Sequence, residues 1–392
     1  MQRAVHAPGR FVDLHVLQSV PYANLNRDDT NSVKTVQYGS VERTRVSSQC
    51  WKRATRLYFE RTLGQKALRT RRIGEAVAKD LRERRGWPED LARRAGQHIA
   101  AGSSIKADPP GDDVPAWSTN AMVYVPSTAV IELADLATEH RQALEAAPDM
   151  KKGGKSVLPK DGIDAVLRSR NGVINLLGRM LAEVDGAGVD GAVQVAHAMT
   201  THATDVEVDY FSAVDDITAG WKDTAGSAHM GSTEHSAGVF YRYATVDLDD
   251  LLRNLDGDIT AARELTSAFA EAFVLSLPQA KKNSTAPHTI PDLVHIAVRG
   301  DRPVSFAAAF EEPVTADRHG GYATASRQQF AAYATAAHQL LGERGLLASG
   351  WASLEDKDLT GLGERHTSFP ELIGLSLDAA LTPAAAAAEA RA

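Results

Sequence analysis

Period-two alternation of apolar and polar residues marks both ends of this chain, and a long stretch without it, 61–190, lies between. Strand-like segments separated by that much sequence must meet in one sheet if each is to pair, so the middle reads as an insertion into a smaller core. The alternating segments are FVDLHVLQ (11–18), GAVQVAHAMTTH (191–202), VEVDYFSAV (206–214), GVFYRYATVDL (238–248) and DLVHIAVR (292–299). Residues 36–46 suit a short strand or hairpin arm. Helical patterns cover 49–59, 127–147, 249–276, a short piece near 304–311, and 325–345, with more helix over 61–100. Polar loops fall at 22–29, 101–120 and 148–162, and the last residues, TPAAAAAEARA, are low-complexity and expected to fray. The order strand, helix, insertion, strand pair, strand, helix, strand predicts an α+β chain: a mostly antiparallel sheet with helices on one face. At 392 residues the chain is too long for one simple core.

The net charge of −7 argues against a polyanionic ligand, but its distribution argues the other way. Residues 41–100 hold 16 Lys+Arg against 7 Asp+Glu. Charge alone leaves two readings open, an electropositive face or salt-bridged helices. Ser47 and Ser48 are suited to cap the helix that begins at Gln49. On that helix Gln49, Lys52, Arg53 and Arg56 share one face, while Cys50, Trp51, Ala54, Leu57 and Tyr58 share the other. The apolar face is expected to pack on the sheet and the cationic one to point outward.

Several chemistries lack their residues. Cys50 is the single cysteine, which excludes an internal disulfide and a cysteine-rich zinc site. His197, His202, His229 and His235 lack a zinc-motif spacing, and no glycine-rich phosphate loop or Ser-His-Asp arrangement is discernible. No cofactor and no metal is expected. No apolar run suits a membrane span and MQRAVHAPGRFVDLHVL has no export signal, so a cytoplasmic location is expected.

Six blocks carry a resemblance: HVLQSVPYANLNRDD (15–29), RVSSQCWKRATR (45–56), GRM (178–180), VDGAVQVAHAMTTH (189–202), DYFSAVDD (209–216) and GSAHMGSTEHSAGVFYRYA (226–244). In this order they resemble the CasC family, which supplies the crRNA-binding backbone of the type I-E CRISPR Cascade complex. The resemblance implies an RRM-like (ferredoxin-like) palm carrying a helical fingers insertion and a thumb. Mapped on this chain, the palm takes 8–60, 191–203 and 235–380, the fingers 61–190 and the thumb 204–234, with a disordered tail at 381–392. It also implies a subunit that polymerises along crRNA, kinks it at regular intervals and presents it to target DNA in antiviral defence. Implied partners are crRNA, target DNA through it, further copies of the chain, the large and small subunits, the 5′-handle-binding subunit, the crRNA-processing endoribonuclease and a recruited nuclease-helicase. The family cleaves nothing itself, so no enzymatic activity is expected.

By resemblance, RNA contacts fall at Arg27, Ser47, Gln49, Lys52 and Arg56. Asn26, Ser48 and Arg53 join them by position. Met180 and Phe211 match two apolar wedges that enter the RNA from opposite sides of a kink; Ser212 neighbours the second. The loop His229-Met230-Gly231, beyond the thumb strand, lines the same path. An exposed aromatic or Met side chain can hold a base unstacked, worth about 1–3 kcal/mol per base. The competing reading is a metal-dependent ribonuclease on the same fold, with carboxylates from Asp28, Asp29, Asp215 and Asp216.

Overall fold

The computed structural model describes residues 9–112, 115–214, 227–342, 345–355 and 357–382, with side chains for all of these but 213–214 and 227–229. Asp215, Asp216 and most of the expected tail lie outside the described residues, as does the start of the segment read for an export signal. Two compact units emerge. The first comprises the described parts of 1–58, 194–252 and 258–392, and the second comprises 59–193 with 253–257.

The chain opens with β1 (Phe11–Ala23), β2 (Thr35–Tyr38), β3 (Val41–Val46) and α1 (Ser48–Leu63). The second unit adds β4 (Ala67–Thr70), α2 (Ile73–Arg85), α3 (Glu89–Gly102), β5 (Ala107–Asp108), β6 (Ser118–Thr119) and β7 (Val123–Pro126). Helices α4 (Ala129–Glu139), α5 (Arg141–Ala146), α6 (Lys160–Arg168) and α7 (Gly172–Leu177) complete it. Then come β8 (Val193–Val195), β9 (Ala198–Thr200), β10 (Glu207–Val214), β11 (Ser227–Asp247), α8 (Leu248–Asn254), α9 (Ile259–Leu275) and α10 (Lys282–Thr285). Strand β12 (Leu293–Arg299), a 3₁₀ turn (Ala307–Phe310), α11 (Ala323–Leu341), β13 (Leu346–Ser353), β14 (Glu364–Arg365) and α12 (Phe369–Leu381) close it.

The main sheet runs β14-β13-β12-β1-β11-β9-β3-β2, with β8 and β10 also pairing β11. Every pairing whose register is resolved is antiparallel except β13 with β14. The α+β expectation therefore holds, but helices cover both faces of the sheet, not one. Strand β1 shows why. Asp13, His15 and Leu17 share a face with Thr245, Tyr243 and Tyr241 of β11, under Phe306, Phe310 and Phe330. Val16 and Gln18 share the other with Arg242 and Phe240, under Trp51 of α1 and the end of α9. The polar residues that made β1 look half-exposed are buried and paired inside. Asp13 accepts from the Tyr243 hydroxyl at 2.8 Å, His15 meets the Tyr241 hydroxyl at 2.9 Å, and Gln18 accepts from Arg242 at 2.6 Å. A buried polar group costs free energy only while unpaired, so period-two polarity here encodes internal bonds and not solvent.

In the second unit, Val77, Leu81, Ile99, Val123, Leu133 and Ile163 belong to one apolar cluster. Helices α2 and α3 touch backbone to backbone: a Cβ on Gly74 would stand 2.1 Å from the Gly96 carbonyl oxygen. The arginines here are largely in ion pairs. Arg84 and Arg85 meet Asp80 at 3.4 and 3.3 Å, Arg85 also meets Asp135 at 2.7 Å, and Arg93 and Arg94 meet Asp149 at 2.7 and 3.2 Å. Asp135 and Asp149 lie outside 41–100, so part of the positive surplus counted there is neutralised by carboxylates from elsewhere in the unit. Among the described residues no helix is long and apolar enough to cross a membrane.

Candidate nucleic-acid interface

The loop after β1 is built by its own side chains. The Asp28 carboxylate accepts from the amides of Thr30 and Ser32 and from the Thr30 hydroxyl, at 2.9, 2.8 and 2.8 Å. These bonds hold its pKa below the usual carboxylate range. Glu234 of β11 then clasps the loop, accepting from the Ser32 hydroxyl at 3.1 Å and the Val33 amide at 2.9 Å. Arg27 lies exposed on this frame, donating to Asn31.

Helix α1 starts beside it. The half-buried Asn26 accepts from the Ser47 amide at 2.8 Å, and the Ser47 hydroxyl accepts from the Cys50 amide at 3.3 Å, which makes Ser47 the cap. The Ser48 amide donates to His197 Nδ1 at 3.1 Å. Part of the first-turn donor capacity that the capped helix offered to phosphate is therefore used internally. Trp51 and Thr55 are buried, and the Thr55 hydroxyl meets that of Ser276 at 3.1 Å. The opposite face carries Gln49 and Arg53, exposed, with Lys52 and Arg56 half-buried. A buried guanidinium seats the helix: Arg242 lies 3.9 Å from the Trp51 ring centroid and donates to the Val274 and Phe273 carbonyls. Burial pushes its pKa down to about 9, so it stays charged at neutral pH.

The second group sits on a two-stranded ribbon. Strands β10 and β11 pair Phe211 with Gly231, Ser212 with Met230 and Ala213 with His229. Residues 229–231, taken from sequence as a loop beyond the thumb strand, are strand. Their pattern is uninformative alone, and the partner strand supplies the order. Side chains alternate across a ribbon, so the group splits. Phe211, Gly231 and position 229 share one face; Tyr210, Ser212 and Met230 share the other. Tyr210 is 80% exposed, Met230 76% and Phe211 46%. The Phe211 ring lies over Gly231, where an added Cβ would stand 2.6 Å from Cζ.

Met180 belongs to the second unit and is 93% exposed. Its predecessor holds it there. The buried Arg179 donates to the carbonyls of Ala187, Ser169, Arg168 and Tyr124 at 2.7, 2.8, 2.9 and 3.2 Å. Its backbone bridges Val189, and Gly178 before it takes φ +78°. The turn is rigid and its apolar tip points into solvent.

Sequence reasoning missed Arg45 and His197. Arg45 donates to His197 Nδ1 at 3.2 Å, beside the start of α1. Burial and the Arg45 charge keep the His197 pKa below the ordinary imidazole value, so it acts as an acceptor. Only the position of Arg45 two residues ahead of the cap hinted at this. Together these residues offer exposed cations beside a capped helix, and bare aromatic and thioether surfaces suited to stacking.

No curated protein matches the chain. It is similar to a chain of a solved structure described as "CRISPR RNA-guided surveillance complex, pre-nicking", with 46% identity, a TM-score of 0.88, and coverage of 95% of this chain and 100% of that one. It is also similar to a chain of a "CRISPR RNA-guided surveillance complex", with 42% identity, a TM-score of 0.78, and coverage of 94% and 100%. Residues 12–374 match the CT1975-like protein family. The chain belongs to that family.

Proposed function

We propose that this protein is a repeating, guide-RNA-holding subunit of a type I-E CRISPR RNA-guided surveillance complex. The observation that carries this is the likeness to surveillance-complex chains at 46% identity over nearly the whole length. The exposed side chains of Arg27, Arg53, Phe211 and Met180 support the division of labour. Arg27, Lys52, Arg53 and Arg56 hold phosphates of the crRNA, and Phe211, with Met180 in the second unit, displaces bases at regular intervals. The first unit acts as an RRM-like palm whose β10–β11 ribbon is the thumb, and the second unit acts as the fingers. Copies line up along one crRNA, beside the other Cascade subunits, and leave the segments between thumbs free to pair with target DNA. The protein works in the cytoplasm.

The subunit is non-catalytic, and a separate recruited nuclease-helicase cuts the target. One oxygen of the Asp28 carboxylate already accepts three hydrogen bonds within its own loop, which fits a loop-forming role better than a metal-binding one. The test is to purify the protein, ask whether a discrete small RNA accompanies it, and incubate the assembly with complementary RNA and Mg²⁺. Co-purifying RNA with no cleavage is expected. Regularly spaced cuts lost in Asp28→Ala or Asp29→Ala would favour the ribonuclease, and protein free of RNA would remove the RNA-holding role.

A further inference from the structure

The root of the β10–β11 ribbon carries a second aromatic surface. The register of β1 against β11 shifts between Val20, opposite Gly238, and Ala23, opposite Ser236. Two residues, Pro21 and Tyr22, stand against the single Ala237. A bulge of this kind re-aims a side chain, and here it lays the Tyr22 ring on that of His235, with centroids 4.3 Å apart and planes 26° apart. Tyr22 remains 38% exposed. On the same face of the ribbon, Glu207 stands opposite His235, Asp209 opposite Thr233 and Phe211 opposite Gly231. His235 and Thr233 are buried, yet both ring nitrogens and the Thr233 hydroxyl lack a hydrogen-bond partner among the described residues. Both carboxylates are exposed. Burial first, and then the charges of Asp209 and Glu207, raise the Tyr22 pKa.

We propose that Tyr22 on its His235 base, with Asp209 and Thr233 beside it, is a nucleobase subsite that holds one base of the bound RNA and favours bases carrying an exocyclic amine. The inference rests on the RNA-holding role proposed above and names a contact beyond the residues assigned there. An aromatic ring with one face covered and the rest open is a stacking platform. Carboxylates repel phosphate, so they face a base edge or ribose; they accept hydrogen bonds from the amines of cytosine, adenine or guanine, whereas uracil offers only an N3–H flanked by two carbonyl oxygens that a carboxylate repels. The subsite is continuous with the RNA path proposed above, because His235 and Thr233 lie on the same face of the ribbon as Phe211.

The test titrates the purified protein with fluorescein-labelled oligo(rC) and oligo(rU) of equal length at several salt concentrations. Wild type is expected to prefer oligo(rC). Tyr22→Ala and Tyr22→Leu should each weaken binding about tenfold with the salt slope unchanged, since stacking is lost and phosphate contacts are not. Asp209→Asn should narrow the preference for oligo(rC). Equal wild-type affinity for the two oligomers overturns the proposal. So does undiminished binding by Tyr22→Ala, or full binding by Tyr22→Leu, which would reduce Tyr22 to a lid over His235. If Tyr22→Ala instead disperses self-association while RNA affinity stays put, the shelf grips a cationic side chain of a neighbouring copy and the proposal falls. Loss of binding in Lys52→Ala with Arg56→Ala would, in each of those cases, leave the RNA-holding role standing. A wild type that binds neither oligomer overturns both.

Discussion

Replacing Gly231 with alanine isolates the Phe211 ring from the strand that carries it. The new Cβ would stand 2.6 Å from Cζ and 3.1–3.2 Å from the two Cε atoms. Comfortable carbon contacts lie near 3.5–4.0 Å, so the ring must withdraw by about 1 Å. The clashing atoms are the far end of a side chain, so rotation rather than backbone distortion relieves the contact. Gly231 is not among the residues with positive φ, and alanine in a strand is better than glycine by about 0.5–1 kcal/mol. The two effects offset, and stability should stay within about 1 kcal/mol of wild type. RNA binding should not. A tilted ring that forfeits about 1 kcal/mol of a stacking interaction worth about 1–3 kcal/mol weakens binding roughly fivefold. The assay is a double-mutant cycle: RNA titrations of wild type, Gly231→Ala, Phe211→Ala and the pair, with thermal unfolding of each. Gly231→Ala should weaken binding in the wild-type background and have no further effect once Phe211 is gone. An equal loss in both backgrounds would refute the reasoning, because the ring would then not be the intermediary.

Lys52→Ala with Arg56→Ala should weaken RNA binding strongly and reduce the slope of log K against log[salt] by about 1.4, two phosphate contacts at about 0.7 each; an unchanged slope removes the basic face of α1 from the interface. Arg179→Met should cost about 3–5 kcal/mol of stability, because four carbonyls lose a charged donor in a buried site, and an unchanged urea midpoint would contradict that. Acid should destabilise the first unit through His15 and His295, which burial holds well below the ordinary imidazole pKa, His295 at about 3. Both remain neutral in the folded chain while the unfolded chain gains protons, so their stabilisation is complete above about pH 6.5 and is lost as pH falls. Asp13 works in the opposite sense: burial raises its pKa to about 6, so the folded chain takes that proton first. Between about pH 6 and 4 the two imidazoles and Asp13 therefore act in opposite directions, and the decline carried by His295 is the part that its removal takes away. Urea unfolding at pH 7, 6, 5 and 4 should show a shallower decline in His295→Leu than in wild type, and an identical decline would refute the assignment.

Local patterning made much of the molecule legible. The alternation at 11–18, 238–248 and 292–299 marked the three central strands, because a period of two can be satisfied only by extended chain with two faces. The two-faced composition of 49–59 placed Trp51 inward and Arg53 outward, as α1 has them. The exposure of Met180 was not legible. It depends on Arg179 reaching the Tyr124 carbonyl 55 residues away, and nothing in GRM distinguishes an anchored arginine from a solvated one.

The amino-acid order alone determined which segments extend, which coil, and which face of α1 is oily. Tertiary structure alone decided how those faces are used. It put helices on both sides of the sheet, so that Asp13, His15 and Gln18 became interior hydrogen-bonding groups. It spent the arginines of α2 and α3 on carboxylates such as Asp149, 55 residues beyond Arg94, and so shrank the basic surface that a simple count suggested. It also set Phe211 opposite Gly231 and turned Met230 to the other face. The physical reason is range. Backbone preference and face parity are settled within a few residues, whereas burial, ion pairing and cross-strand register depend on partners that only folding brings near.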